Sequence, residues 1–240
     1  MNFGIIAAGE GSRLRTEGVE VWKPMVEIDG QPMIGRLIHI FEDCGANSIN
    51  VVVNGNMPEV QEYVDNLVPT PGCIIRSKSA VTPSSMHTFN ELVSMIGPDA
   101  GKFIVTTVDT IFLEESFKTY VKAFREEGRE VDGLMAVTKY IEDEKPLYVA
   151  TGPDGYITGF LDAPSEGVEY VSAGIYGLDS KALPVLSECL EKGVNRMRNF
   201  QRALIEAGLR LKAFDMGKVL DVDHASDIEV ARRFVSENSK

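Results

Sequence analysis

The sequence predicts an α/β fold of the Rossmann-like, three-layer kind, with a mostly parallel sheet and an antiparallel β insertion in its second half. Three observations carry this. Short apolar runs alternate with segments of helical spacing between residues 3 and 138, which is the pattern of βαβ units. The first of these runs ends in a glycine-rich loop, as a buried strand does. Beyond residue 139 the strand-like runs are separated by Gly, Pro and Asp rather than by helices.

Taken in order, residues 3–8 form the first apolar run and predict a buried strand. Met33, Leu37, Ile40 and Phe41 recur at helical spacing and predict a helix over 33–43. A strand over 49–53, a helix over 58–66 and a short strand near 73–75 follow. Ser84 or Ser85 can cap a helix running to about residue 96, and Glu91 lies too far along to complete a capping box. The continuous apolar and β-branched run 103–108 reads as a central strand buried on both faces, with Asp109 at its carboxyl end. A helix over 114–127 and a strand over 131–138 close the first half.

In the second half, strands are expected over 148–151, 156–160 and 170–178, the first two joined by the PDG turn at 153–155. Helices over 181–189 and 195–207, a strand over 211–214 and a closing helix over 225–236 complete the chain. No internal repeat, low-complexity tract or linker interrupts it, so 1–240 reads as one domain.

The bulk numbers narrow the function. With 240 residues, 44% hydrophobic and 25% charged, the chain can bury a substantial core without disulfide or metal staples. No apolar run reaches the roughly 18–20 residues that cross a bilayer, and the first eight residues do not resemble a signal peptide, so a cytoplasmic protein is expected. Cys44, Cys73 and Cys189 are far apart and form no CxxC pair; His39, His87 and His224 have no companion at metal-ligand spacing. A zinc site and a disulfide framework are therefore not expected. A formal charge of −12 argues against nucleic-acid and anionic-membrane partners, which need a basic surface. If so acidic a chain handles phosphate, it must gather its cations locally and recruit a metal.

The strongest local signal is Ala7-Ala8-Gly9-Glu10-Gly11-Ser12-Arg13-Leu14, followed by Lys23-Pro24-Met25. Glycines at 9 and 11 let the backbone approach a polyphosphate and aim successive N–H groups at it. Arg13 and Lys23 add positive charge where a reacting phosphate gains negative charge. A Walker A loop is absent, and the dinucleotide fingerprint fails because Leu14 stands where its third glycine belongs.

These residues, AAGEGSRLR followed by KPMVEIDGQPMI, resemble the signature of the sugar-phosphate nucleotidyltransferase family. That family includes the nucleotide-sugar pyrophosphorylases and shares its fold with phosphocholine cytidylyltransferases and molybdenum-cofactor guanylyltransferases. Weaker matches extend the likeness: VDTIF at 108–112, SAGIY at 172–176 and LDVDHASDIEVA at 220–231. The resemblance implies that the loop amides, Arg13 and Lys23 hold a triphosphate. It implies Mg²⁺ at Asp109, with Asp221 as the second ligand and Asp223 in reserve. Asp223 stands where a glycine is usual, although related cytidylyltransferases carry an acid there. Asp227 reads instead as a first-turn helix acid. Ser79, Thr82, Ser84 and Ser85 lie where the family contacts the base, although serines before a helix also serve as caps. Trp22 is open to either ring stacking or ordinary packing.

The acceptor end departs from the sugar enzymes. Their glutamate-lysine pair would align with Leu161-Asp162 or Asp162-Ala163 before Pro164, and neither carries the cation. Lys139 and Lys145 are candidate substitutes, and Gly174 can permit close approach of an acceptor. The implied activity is Mg²⁺-dependent transfer of a nucleoside monophosphate from an NTP to a phosphorylated small acceptor, a sugar 1-phosphate, releasing pyrophosphate. Residues 1–138 would bind the nucleotide and 139–240 the acceptor. An acceptor phosphate is already ionised at neutral pH, so the absence of a nucleophilic triad is no obstacle. Two alternatives stay open: a phosphocholine-type cytidylyltransferase acting on a non-sugar phosphate, and a nucleotide-binding regulator without catalysis. A glycosyltransferase would carry Asp-x-Asp where Asp109-Thr110-Ile111 stands. Base, acceptor identity and homo-oligomerisation are left undetermined.

Overall fold

The computed structural model describes residues 1–141 and 145–238. The first half runs β1 (Asn2–Ala7), α1 (Ser12–Thr16), a one-turn 3₁₀ helix (Lys23–Met25), β2 (Glu27–Ile28), β3 (Gln31–Pro32) and α2 (Met33–Asp43). It continues with β4 (Ser48–Asn54), α3 (Pro58–Asp65), β5 (Ile74–Ala80), α4 (Ser85–Ile96), β6 (Lys102–Thr107), β7 (Thr110–Ile111), α5 (Glu114–Glu126) and β8 (Gly133–Thr138). The second half comprises β9 (Tyr148–Thr151), β10 (Ile157–Leu161), β11 (Tyr170–Asp179), α6 (Ala182–Glu191), α7 (Met197–Glu206), β12 (Leu211–Asp215), β13 (Leu220–Asp221) and α8 (Ala225–Asn238).

The strands β5-β4-β1-β6 lie side by side and all parallel, which is what helical crossovers between them require. β11 joins β6 antiparallel and carries β8 and β9, also antiparallel, while β12 lies parallel to β8. The expected antiparallel portion therefore adjoins the parallel strands at β6. Side chains along β1 alternate between the two faces of the sheet, as the pleat dictates, and are buried on both. Phe3, Ile5 and Ala7 face a cluster with Ile34, Phe41 and Phe117, whereas Ile6 and Ala8 face one with Phe89, Leu186 and Phe200. Helices thus cover both faces of the sheet, giving three layers.

Besides the one-turn 3₁₀ helix and the two-residue β7, three features exceed what the sequence pattern predicts. α1 forms directly after the glycine loop. β5 is seven residues long rather than three, because its polar alternation Arg76-Ser77-Lys78-Ser79 suits a sheet edge and hides it from a search for apolar runs. A β2–β3 hairpin closes through Asp29 and Gly30, both at positive φ (53° and 76°), a two-residue turn. Among the described residues, no helix is long and apolar enough to cross a membrane.

What the fold does for function is bring the carboxyl ends of β1, β4 and β6 to one edge, the usual ligand edge of an open α/β sheet. β13 then returns the end of the chain there by pairing antiparallel with β7, Asp221 opposite Thr110.

Candidate active site

Residues 8–11 leave the sheet from β1. Gly11 is left-handed (φ 60°), and a Cβ on it would lie 2.7 Å from Cβ of Lys23. Glycine therefore lets the loop rest over Lys23. The N–H groups of Gly9, Glu10 and Gly11 make no hydrogen bond among the described residues, so they stand as donors around the loop.

Lys23 opens the 3₁₀ helix and points inward. Its ammonium lies 2.5 Å from Asp109 Oδ2 and 2.6 Å from Asp223 Oδ1, and Arg13 reaches the other oxygen of Asp223 at 2.9 Å. Burial works against the charge on Lys23, but the two carboxylates outweigh it and hold the ammonium above its ordinary pKa. Burial would likewise push the Asp109 carboxyl up. The charge of Lys23 and hydrogen bonds from Lys23 and the Thr107 hydroxyl overcome it and hold Asp109 below the usual carboxylate range.

Two clefts meet at this cluster. One, of about 530 Å³, is bounded by Ala8, Gly9, Glu10, Gly11 and Lys23 on one side and by the segment 81–85 on the other. The second, of about 350 Å³, is lined by Ser172, Gly174, Tyr176, Arg196, Arg198, Gln201, Asp221 and Asp223. Ser85, Thr107 and Asp109 line both. A molecule in either cleft therefore faces Asp109.

Asp221 is brought to the cluster by the β7–β13 pairing, which continues as a hydrogen bond from Val222 N–H to Asp109 O at 3.1 Å. The strand ends at Asp221, and both Asp221, expected as the second metal ligand, and Asp223, its reserve, line the second cleft. Asp227 accepts hydrogen bonds from the N–H groups of Asp223 (3.0 Å) and His224 (2.7 Å) and so caps the start of α8. Among the described residues no group of three or more His, Cys, Asp or Glu is disposed to hold a metal. The carboxylates of Asp109, Asp221 and Asp223, all lining the second cleft, are hard oxygen donors, the chemistry that Mg²⁺ takes.

The other residues singled out in the sequence fall as follows. Ala7 is buried in the sheet, and Ser12, the exposed first residue of α1, lines neither cleft. Ser84 is the N-cap of α4 but makes no capping bond; its hydroxyl meets His87 Nδ1 at 2.9 Å. Ser85 Oγ accepts from Met197 N–H at 3.4 Å and so joins the starts of α4 and α7. Trp22 packs under Arg15 and donates to Glu59, away from the clefts. Lys139 is paired with Glu169 at 2.6 Å on the surface. Neither Lys139 nor Lys145 lines the second cleft; the cations that do are Arg196 and Arg198.

Arg196, at the N-cap of α7, has φ 71° and ψ 138°, a region costly for any residue but glycine. Arg198 holds Asp162 Oδ1 at 3.0 Å and the Lys145 carbonyl at 2.8 Å. Asp162 also accepts from Arg202. The sequence points to Lys139 and Lys145 for the missing cation, whereas the second cleft holds Arg196 and Arg198 at the start of α7. The signal was the basic cluster Arg196, Arg198, Arg202 in a chain of net charge −12.

Residues 4–238 match the family described as nucleotidyl transferase. The chain belongs to that family. Among its curated relatives, the mannose-1-phosphate guanylyltransferase catalytic subunit beta of Drosophila pseudoobscura pseudoobscura is 27% identical over 72% of this chain and 46% of its own length. The bifunctional protein GlmU of Methanococcus maripaludis is 25% identical over 95% of this chain and 53% of its own length. The chain thus spans about half the length of these family members. The UTP–glucose-1-phosphate uridylyltransferase AglF of Haloferax volcanii matches end to end, 25% identical over 100% of this chain and 98% of that protein. Among solved structures, apo UDP-glucose pyrophosphorylase superposes with a TM-score of 0.81 over 100% of this chain and 99% of that one, at 16% identity. The inositol-1-phosphate CTP transferase of T. maritima superposes at 0.77 over 98% and 96%, at 18% identity. At these identities the structural likeness concerns the fold.

Proposed function

We propose that the chain transfers a nucleoside monophosphate from an NTP to a phosphorylated small acceptor, a sugar 1-phosphate, and releases pyrophosphate. The observation that carries this reading is the meeting of two clefts at Asp109, one floored by a glycine loop and Lys23, the other holding Arg196 and Arg198. The sugar 1-phosphate enzymes among the relatives support the acceptor class.

In this reading the loop N–H groups, Arg13 and Lys23 hold the triphosphate, while Ser84 and Ser85 border the base and ribose. Arg196 and Arg198 hold the acceptor phosphate; Gly174 and Tyr176 border the rest of the acceptor. An ionised acceptor oxygen attacks the α-phosphorus, the bond from the α-phosphorus to the bridging oxygen breaks, and pyrophosphate leaves with the electron pair. Arg13 and Lys23 stabilise the charge that grows on the leaving group. Mg²⁺ held by Asp109 and Asp221, with Asp223 beside them, would offset repulsion between the two anions. The whole chain acts as one domain, residues 1–138 serving the nucleotide and 139–240 the acceptor. It works in the cytoplasm without a nucleic-acid partner, in keeping with its net charge of −12.

The test is pyrophosphate release with Mg²⁺ across the four NTPs and a panel of phosphorylated acceptors. Sugar 1-phosphates are joined in the panel by phosphocholine, because Asp162 is engaged by Arg198 and Arg202 rather than standing free for a sugar hydroxyl. At least one pair should release pyrophosphate in step with product. NTP binding without product from any acceptor would leave a nucleotide-binding regulator as the better reading.

A further inference from the structure

Asn54 ends β4 inside the larger cleft, almost wholly buried at 3% exposure. Its side-chain nitrogen donates to the Ala8 carbonyl at 2.8 Å, and its side-chain oxygen accepts from Asn56 N–H at 2.9 Å. The second bond fixes which end of the amide faces the loop: only the nitrogen can meet a carbonyl.

That contact changes the direction of one peptide. In a strand, alternate carbonyls face the same neighbour. Ile6 O faces β6, accepting from Val108 N–H at 3.1 Å, so a continued strand would turn Ala8 O toward β6 as well. There it would confront the phosphates beside Thr107 and Asp109. Asn54 draws the oxygen to the β4 side instead. A trans peptide sets its N–H opposite its oxygen, and β1 lies between β4 and β6. The Gly9 N–H is thereby turned to the β6 side, and it has no hydrogen-bond partner among the described residues.

We propose that Asn54 is a positioning residue for the nucleotide's polyphosphate, holding the Ala8–Gly9 peptide with its oxygen withdrawn and its N–H presented to the phosphates. This rests on the phosphate-loop reading above and assigns one donor within it. The chemical class recognised is the polyphosphate itself, independent of the base.

The probe is accordingly inorganic tripolyphosphate with Mg²⁺, added to the full chain labelled with ¹⁵N-glycine. The Gly9 resonance is identified by its loss in Gly9→Ala, where an added Cβ meets nothing within 4 Å. In the wild type the Gly9 amide proton should move downfield on saturation. In Asn54→Leu that movement should vanish, tripolyphosphate should bind about tenfold more weakly, and the KM for NTP should rise while that for the acceptor stays unchanged. A role confined to folding would lower the active fraction and leave both KM values alone. If Asn54→Leu does not fold, Asn54→Asp keeps the bond to Asn56 N–H but cannot donate to Ala8 O, and the same losses are expected. Tripolyphosphate bound by the wild type with Gly9 unmoved, or by a folded variant at wild-type affinity, overturns the assignment alone. Failure of the wild type to bind it would remove the phosphate-loop reading, and this proposal with it.

Discussion

Lys23→Met isolates the charge on which the cluster depends. Methionine keeps the aliphatic stem beneath Gly11 and removes the ammonium. In the wild type the Lys23 side chain is 10% exposed and that of Asp109 23%. Breaking a fully buried pair costs about 3–5 kcal/mol, because the remaining charge is stranded. Asp109 opens onto both clefts and is partly hydrated, and Asp223 keeps Arg13, so about 2 kcal/mol is the reasoned figure. For a chain of this size that lowers Tm by roughly 4–8 °C. The pH dependence has a definite sign. The folded Asp109 carboxyl lies below its ordinary value, so the pair's stabilisation is present above the unfolded pKa near 4 and is lost as pH falls through the folded value. The wild-type and variant melting curves should therefore differ at pH 7 and converge in acid. Adding Asp109→Asn to Lys23→Met should recover part of the loss at pH 7, since no unpaired carboxylate is left. Pyrophosphate release should fall about 10²–10³-fold in Lys23→Met. The assays are calorimetry without nucleotide and a coupled pyrophosphate assay. A Lys23→Met variant that melts with the wild type at pH 7 would refute the electrostatic reasoning, and one that turns over normally would remove Lys23 from the chemistry.

Arg196→Ala should raise the acceptor KM at least tenfold and leave the NTP KM unchanged; steady-state kinetics varying each substrate separately would show otherwise if Arg196 serves the nucleotide. Gly174→Ala places a Cβ at φ 70°, 2.7 Å from Thr110 Oγ1 and 3.1 Å from Thr107 Oγ1, so Tm should fall in keeping with about 1–3 kcal/mol. An unchanged Tm would show that β11 yields there without cost. Asp132 is nearly buried, accepts from Lys181 at 2.6 Å and from Arg210 N–H at 2.9 Å, and these bonds hold its carboxyl below the ordinary range against the opposing effect of burial. Asp132→Asn should cost about 1 kcal/mol at pH 7, the exposed Lys181 contributing little. That difference should close as pH falls below about 4, and denaturant melts at pH 7 and pH 3 would reveal a gap that does not.

The parts of the fold that bury apolar faces were legible in the sequence. Short apolar runs at 3–8 and 49–53 bounded by turn residues, and helical spacing over 33–43, have few other physical solutions. What escaped were elements that bury little. β5 has a polar edge pattern, and the β2–β3 hairpin is only four paired residues, although its Asp29-Gly30 turn was a readable signal. In the site, the glycine loop, Arg13, Lys23 and Asp109 share a short stretch or a strand end, so local chemistry announces them. Arg196, Arg198 and Asn54 acquire meaning only when the sheet order brings α7 and β4 beside the loop. Lys139 shows the reverse: its charge invited a role that Glu169, thirty residues away in sequence, already occupies.

Direct transfer across the junction at Asp109 is tested most directly by isotope tracing with an active pair of substrates. The acceptor phosphate carries ¹⁸O in its three non-bridging oxygens, and both products are weighed by mass spectrometry. Attack by an acceptor oxygen on the α-phosphorus should deliver all three labels to the nucleotide-linked product and none to pyrophosphate. Label appearing in pyrophosphate, or nucleoside monophosphate released with a solvent oxygen in place of the acceptor, would contradict it.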